Sequence, residues 1–177
     1  MTEHIIVHDK EELGVYKRDV IRNLQRNIEA IQQILVCRDA LEAFKEFKFE
    51  KVAVEPLTGR PENLIEVINQ SHTYLISIMA VEYLFQKHPK QEFTINWGNI
   101  PGYDIESIDG TIVAECFAAT SYRSNGKLAA DLKRLASNST AVYKYEFFYD
   151  KEFLDSHRAY YKDKYPDIEI VKFQEIR

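Results

Sequence analysis

Gly102-Tyr-Asp104-Ile-Glu-Ser-Ile-Asp109-Gly110-Thr-Ile-Val-Ala-Glu115 is the stretch on which the fold turns. Asp109-Gly110 reads as a two-residue hairpin turn. With that turn Ile108 pairs with Thr111, and counting outward sets Asp104 opposite Glu115. Strand side chains alternate, so both carboxylates share one face. Like charges opposed across a sheet repel each other. A cation between them removes the conflict, and a divalent metal ion is the first candidate. Two carboxylates on adjacent strands leave room for water and a phosphate oxygen around such an ion. Glu106 shares their face, as a third acid or as a solvated strand residue.

A Gly-Tyr-Asp turn, a strand, a short hairpin and a second strand reaching Glu115 resembles the PD-(D/E)XK nuclease superfamily, the restriction-endonuclease-like fold. The order of elements extends the resemblance. A long helix precedes the hairpin, a polar turn and a helix follow it, and a strongly aromatic strand comes next. This helix, strands, helix, strand order covers Pro61 to Tyr149.

The resemblance implies an α+β (mixed α/β) fold: a central mixed sheet flanked by helices, with an N-terminal helical extension. It implies Mg2+ (or Mn2+) held by Asp104 and Glu115, and metal-dependent hydrolysis of phosphodiester bonds in DNA. The family's Lys, two residues after the Glu, is absent; Phe117 stands there. Lys127, opening the next helix, is the substitute catalytic group, or else an ordinary surface Lys. Glu66, near the start of the first core helix, is an auxiliary contact, or else an acid favoured by the helix N-terminus. Arg123 and Lys133 are further candidates for phosphate contact. Phe117 also supports a second reading: a catalytically silent nuclease fold serving as a DNA-binding or protein-interaction module.

The 177 residues, 45% of them hydrophobic, suffice for one domain with a sizeable core. The expected layout is a single domain: a mainly helical segment over 1–60, the nuclease-like core over 61–149, and a C-terminal helix and strand over 150–177. The start lacks the basic and apolar regions of a signal peptide. Charged or polar residues interrupt every apolar run, so no membrane span is expected. Cys37 and Cys116 have no metal-ligand spacing, and a reducing, cytoplasmic setting fits them. A net charge of −5 argues against a nucleic-acid coating protein but not against a nuclease.

Helical periodicity runs from about Asp9 to Leu35, with Ile21, Leu24, Ile28, Ile31 and Leu35 forming a heptad-like seam. The seam reads as core, with homodimerisation through this helix left open. Arg18, Arg22 and Arg26 form a basic stripe, read as a solvated face or as a DNA or partner contact. A shorter helix is expected over Ala40–Phe47 and a short strand over Lys51–Thr58. Pro61 suits a first helical position before a buried helix reaching Lys87. Strands are expected over Glu92–Trp97, Ala141–Tyr149 and Ile168–Phe173, helices over Lys127–Ala136 and Lys151–Tyr161, and a loop over residues 98–102. His72 reads as a satisfied core histidine.

Overall fold

The computed structural model describes residues 3–97 and 101–176. The elements, in chain order, are β1 (Glu3–Val7), α1 (Lys10–Cys37), α2 (Ala40–Phe49), β2 (Ala53–Val54), β3 (Pro61–Glu62), α3 (Leu64–Lys87), β4 (Phe93–Trp97), β5 (Ile105–Ser107), β6 (Ile112–Ala118), α4 (Lys127–Ser137), β7 (Tyr143–Tyr149), α5 (Asp155–Lys164) and β8 (Ile168–Phe173). The fold is α+β, with a mixed sheet and flanking helices. Two compact units divide the chain: Met1–Leu13 with Ile76–Arg177, and Gly14–Leu75. Residues 98–100 of the expected 98–102 loop lie outside the described residues.

In the first unit six strands run in the order β1-β4-β5-β6-β7-β8. Pairing is antiparallel from β1 to β6 and parallel from β6 through β8. Parallel neighbours need a crossover, which α4 and α5 supply. Alternation splits the side chains between two faces. On one face Tyr83 of α3 meets Tyr145 and Phe147 edge-on, and Phe85 meets Phe93. On the other, Leu128, Leu132 and Leu135 of α4 pack with Val113, Phe117, Phe148, Ile168 and Ile170. The Phe117 ring stacks on Phe148 at 5.1 Å and 4°. Phe117 thus shares the face of Glu115 and is taken up by aromatic packing.

The hairpin keeps the expected register: Ile105 pairs with Ala114 and Glu106 with Val113. Its turn is different. A two-residue type I′ turn needs positive φ at both central residues, yet only Gly110 has it, at 70°. The amide of Gly110 donates to the Ser107 carbonyl at 2.8 Å. The Asp109 Oδ1 accepts from the Ser107 hydroxyl, the Thr111 amide and the Thr111 hydroxyl, and its Oδ2 accepts from Gln91. A side chain, rather than the turn backbone, ties the two strands together.

The short β1, over His-Ile-Ile-Val, was not legible in the sequence; it gains its identity by pairing with β4. Pro61 is not a first helical residue. It pairs with Val54 in the β2–β3 ribbon, and α3 begins three residues later, where the Asn63 Oδ1 accepts from the Glu66 amide at 3.0 Å. His72 is exposed rather than core, its ring against the Ile68 carbonyl at 2.8 Å.

The second unit corrects the reading of α1. The heptad-like seam is core only in part: Ile31 packs against Ala53, Leu64 and Val67 and Leu24 is half-buried, while Ile21, Ile28 and Leu35 are 51%, 50% and 59% exposed. Val20, Asn23 and Asn27 are buried instead. Asn23 donates to the Pro56 carbonyl at 2.9 Å, while Asn27 donates to the Val54 carbonyl and accepts from the Val54 amide. Two amides thus satisfy backbone groups in and just after a strand too short to satisfy itself. In the basic stripe Arg22 pairs with Asp19, and Arg26 donates to Asn23.

Replacing Asp109 by Ala removes the carboxylate that accepts from Ser107, Thr111 and Gln91, and the melting temperature is expected to fall at pH 7. Those hydrogen bonds hold the Asp109 carboxyl well below the usual carboxylate range. A depressed folded-state pKa gives stability above the unfolded pKa that disappears as pH falls through the folded one. The gap between wild type and Asp109→Ala in thermal melts should therefore narrow only in strong acid.

Candidate functional site

The sheet register draws one line of polar side chains across the first unit. His4 pairs with Asn96, and the β4–β5 ladder continues so that the Asn96 amide donates to the Asp104 carbonyl. Extending Ile105–Ala114 by one step sets Asp104 beside Glu115. Glu115 is then the parallel partner of Glu146. Neighbouring strands lie ~5 Å apart, so Asp104, Glu115 and Glu146 form a contiguous acidic row on one face.

Helix α4 brings the rest. Lys127, Asp131 and Arg134 sit at i, i+4 and i+7, one stripe of the helix beside its leucines. Asp131 is buried with those leucines. The Lys127 Nζ donates to the Asp131 Oδ1 at 2.9 Å. The Arg134 Nη1 stands 2.8 Å from the Glu115 Oε1, an ion pair without aligned hydrogen-bond geometry. Arg134 also donates to the Gly102 carbonyl and lies over the Tyr103 ring at 4.8 Å. The Asn96 side chain donates to the Tyr103 carbonyl at 2.5 Å, and the Cys116 amide donates to the Asp104 Oδ2 at 2.7 Å. The turn entering β5 is pinned from both sides, which fixes where Asp104 stands.

Electrostatically the cluster is unbalanced. Glu115 and Glu146 are both 0% exposed. None of their four carboxylate oxygens has a hydrogen-bond donor among the described residues, and neither has the Asp131 Oδ2. Burial, then the field of Asp104, pushes the Glu115 carboxyl from 4.5 up to about 8, against the pull of Arg134. Burial, then Asp131 and Glu115, raises Glu146 well above the usual range. Burial also raises Asp131, although Lys127 opposes it. For Lys127 burial works against the ammonium, but Asp131, Asp104 and Glu115 outweigh it and the pKa rises. The site holds a lysine charge firmly and sets Arg134 against one side of Glu115, while Glu146 has no ion pair among the described residues.

The expected site residues therefore divide. Asp104 and Glu115 are neighbours, and Lys127 interacts electrostatically with both. Glu66 lies in the other unit, exposed in the first turn of α3. Glu106 shares the face of Asp104, half-buried. Sequence reasoning missed Asp131 and Glu146. The signal was there: each is an acid inside an apolar pattern, Asp131 between Leu128 and Leu132, Glu146 between Tyr145 and Phe147. An ionisable group in such a setting needs a partner.

The donors fit a hard divalent ion in kind, since carboxylate oxygens suit Mg2+, which keeps several of its own waters. In number they are few: among the described residues no group of three or more His, Cys, Asp or Glu is arranged to hold a metal. No family model matches the chain, and neither does any curated protein or solved structure.

The raised Glu115 has a thermodynamic consequence. The folded protein holds a proton there that the unfolded chain releases near pH 4.5, so stability falls as pH rises from about 4.5 to about 8. Glu115→Gln keeps the shape and removes the ionisation. Urea unfolding without metal should show that variant losing less stability than wild type between pH 5 and pH 8. Parallel curves would contradict the assignment.

Proposed function

We propose that this chain is a metal-dependent deoxyribonuclease with a restriction-endonuclease-like core. The observation that carries the reading is the joining of Asp104 and Glu115, paired by the β5–β6 register, with Lys127 on the following helix. The element order α3, β4, β5, β6, α4, β7 supports it as well, being the helix, strands, helix, strand order of the resembled family. Asp104 and Glu115 would hold Mg2+ (or Mn2+). That ion, when bound, polarises a phosphodiester and acidifies water beside it.

The chain's own residues supply the rest. Lys127 keeps an ammonium next to the carboxylates, able to orient an attacking water or to stabilise charge developing on the phosphate. Arg134 is an exposed guanidinium beside Glu115 and can bind a second phosphate oxygen. Asn96 and Arg134 hold the Tyr103–Asp104 turn in place. Glu66 is retained as an auxiliary contact only on the strength of the resemblance. DNA is the proposed partner, and a reducing, cytoplasmic setting is proposed from two free thiols, Cys37 exposed and Cys116 buried. Among the described residues no helix is long and apolar enough to cross a membrane.

A second reading has its own support. Phe117 is locked against Phe148, and Arg134 already occupies one side of Glu115. Both suit a silent nuclease fold that binds DNA or a protein without cutting. The exposed Ile21, Ile28 and Leu35 on α1 favour a homodimer built on that helix.

Direct measurements separate these readings. Millimolar Mg2+ or Mn2+ should raise the melting temperature of wild type and not of Asp104→Asn. Plasmid and oligonucleotide cleavage should need the metal, vanish in Asp104→Ala and Glu115→Ala, and slow by about 100-fold in Lys127→Ala. Salt-sensitive DNA binding without cleavage would favour the silent fold. Phe117→Lys buries an amine in an aromatic stack and should lower stability sharply. In sedimentation, Ile28→Glu should convert a dimer to a monomer; a wild-type monomer would dismiss the dimer.

A further inference from the structure

A second site lies away from the acid cluster and shares none of its residues. A cavity of about 440 Å³ opens between the starts of β7 and β8 and helix α5. That volume falls within the ~300–1,000 Å³ typical of small-molecule sites. Its walls include Tyr143, Lys144, Arg158, Lys162, Asp167 and Glu169.

Two of those charges are already engaged. Glu169 accepts from the Tyr83 hydroxyl and lies 4.0 Å from Lys87. Lys144 donates to the Asn138 carbonyl at 2.5 Å. Arg158 and Lys162 are four residues apart on α5, on one face of the helix. Neither pairs with a carboxylate among the described residues, and the Arg158 Nε is buried without an acceptor there. A buried guanidinium nitrogen with no acceptor is costly unless something fills the place. An arginine fork beside a lysine matches the oxygens of a phosphate. Tyr143, 48% exposed, stands at the rim of the cavity on the sheet face of Tyr145, opposite α5, with the His88 ring 4.6 Å away. Asp167 adds an exposed acceptor for a hydroxyl or amino group.

We propose that this cavity binds a phosphate monoester carried on an aromatic, hydroxyl-bearing body, that is, a nucleoside monophosphate. Arg158 and Lys162 take the phosphate on the α5 side, and the rest of the ligand passes the starts of β7 and β8 to reach Tyr143, which stacks on the base, and Asp167, which accepts from the sugar or base. The same group occurs as a free nucleotide and as the phosphorylated 5′ end of a DNA strand. The inference does not depend on nuclease activity, and it is tested in EDTA so that no divalent ion contributes.

Calorimetry of the full chain with adenosine 5′-monophosphate should give saturable binding, with inorganic phosphate weaker. Arg158→Gln and Lys162→Gln should each weaken the nucleotide by about tenfold or more. Tyr143→Ala should weaken the nucleotide but not phosphate, and the exposed Lys90→Gln should change neither. Lys162 is exposed, so its variant remains informative if Arg158→Gln fails to fold. Tighter binding of a short 5′-phosphorylated oligonucleotide than of the mononucleotide would assign the site to DNA ends; the reverse would assign it to free nucleotide. No saturable binding of either at millimolar concentration, or equal losses in Lys90→Gln and Lys162→Gln, would overturn the proposal.

Discussion

Glu115 and Glu146 stand side by side on parallel strands, out of water, with no donor among the described residues for any of their carboxylate oxygens. Two such groups cannot both stay ionised at low cost. They are there because β6 and β7 are held in register by the rest of their lengths. Phe117 against Phe148 and Val113 against Lys144 belong to the same ladder. Apolar burial under α4 fixes the ladder, and the ladder then forces the acids together. Such tension is a local penalty that the packing around it outweighs.

Helix α4 has two roles that its sequence divides between adjacent stripes. Leu128, Leu132 and Leu135 anchor it to the sheet. Lys127, Asp131 and Arg134 lie alongside and meet the acidic row. Because the two stripes belong to one rigid element, the leucines set the position of the charges. Two residues after Glu115 the ring of Phe117 stacks on Phe148, and the ammonium that meets the acids comes from Lys127 on this helix.

The second unit shows the converse arrangement. There, polar groups are buried to complete a backbone, and apolar ones are left outside. Asn27 serves the short β2 strand and Asn23 the Pro56 carbonyl just after it, while Ile21, Ile28 and Leu35 face solvent. A heptad pattern shows that a helix has two distinct faces. It does not say which face meets its own chain.

What the sequence determined by itself was local. The hairpin register follows from Asp109-Gly110 and the two-residue repeat of a strand, and it survived a change of turn type because Asp109 holds both strands. The positions of α1, α2, α3, α4 and β8 follow from helical or strand periodicity within a residue or a few. The pair Asp104–Glu115 was therefore legible, since only the ten residues of one hairpin connect its two carboxylates. What only the tertiary structure decided was non-local. The parallel pairing of β6 with β7 joins segments about thirty residues apart and depends on which faces α4 can bury; nothing in either strand announces it. Glu146, Asp131 and Arg134 entered the site by that route. β1 exists only because β4 offers it a free edge, and Glu66 fell in a different compact unit from the acids it was expected to join. Short-range periodicity fixes where side chains point, but burial across the whole chain chooses their neighbours.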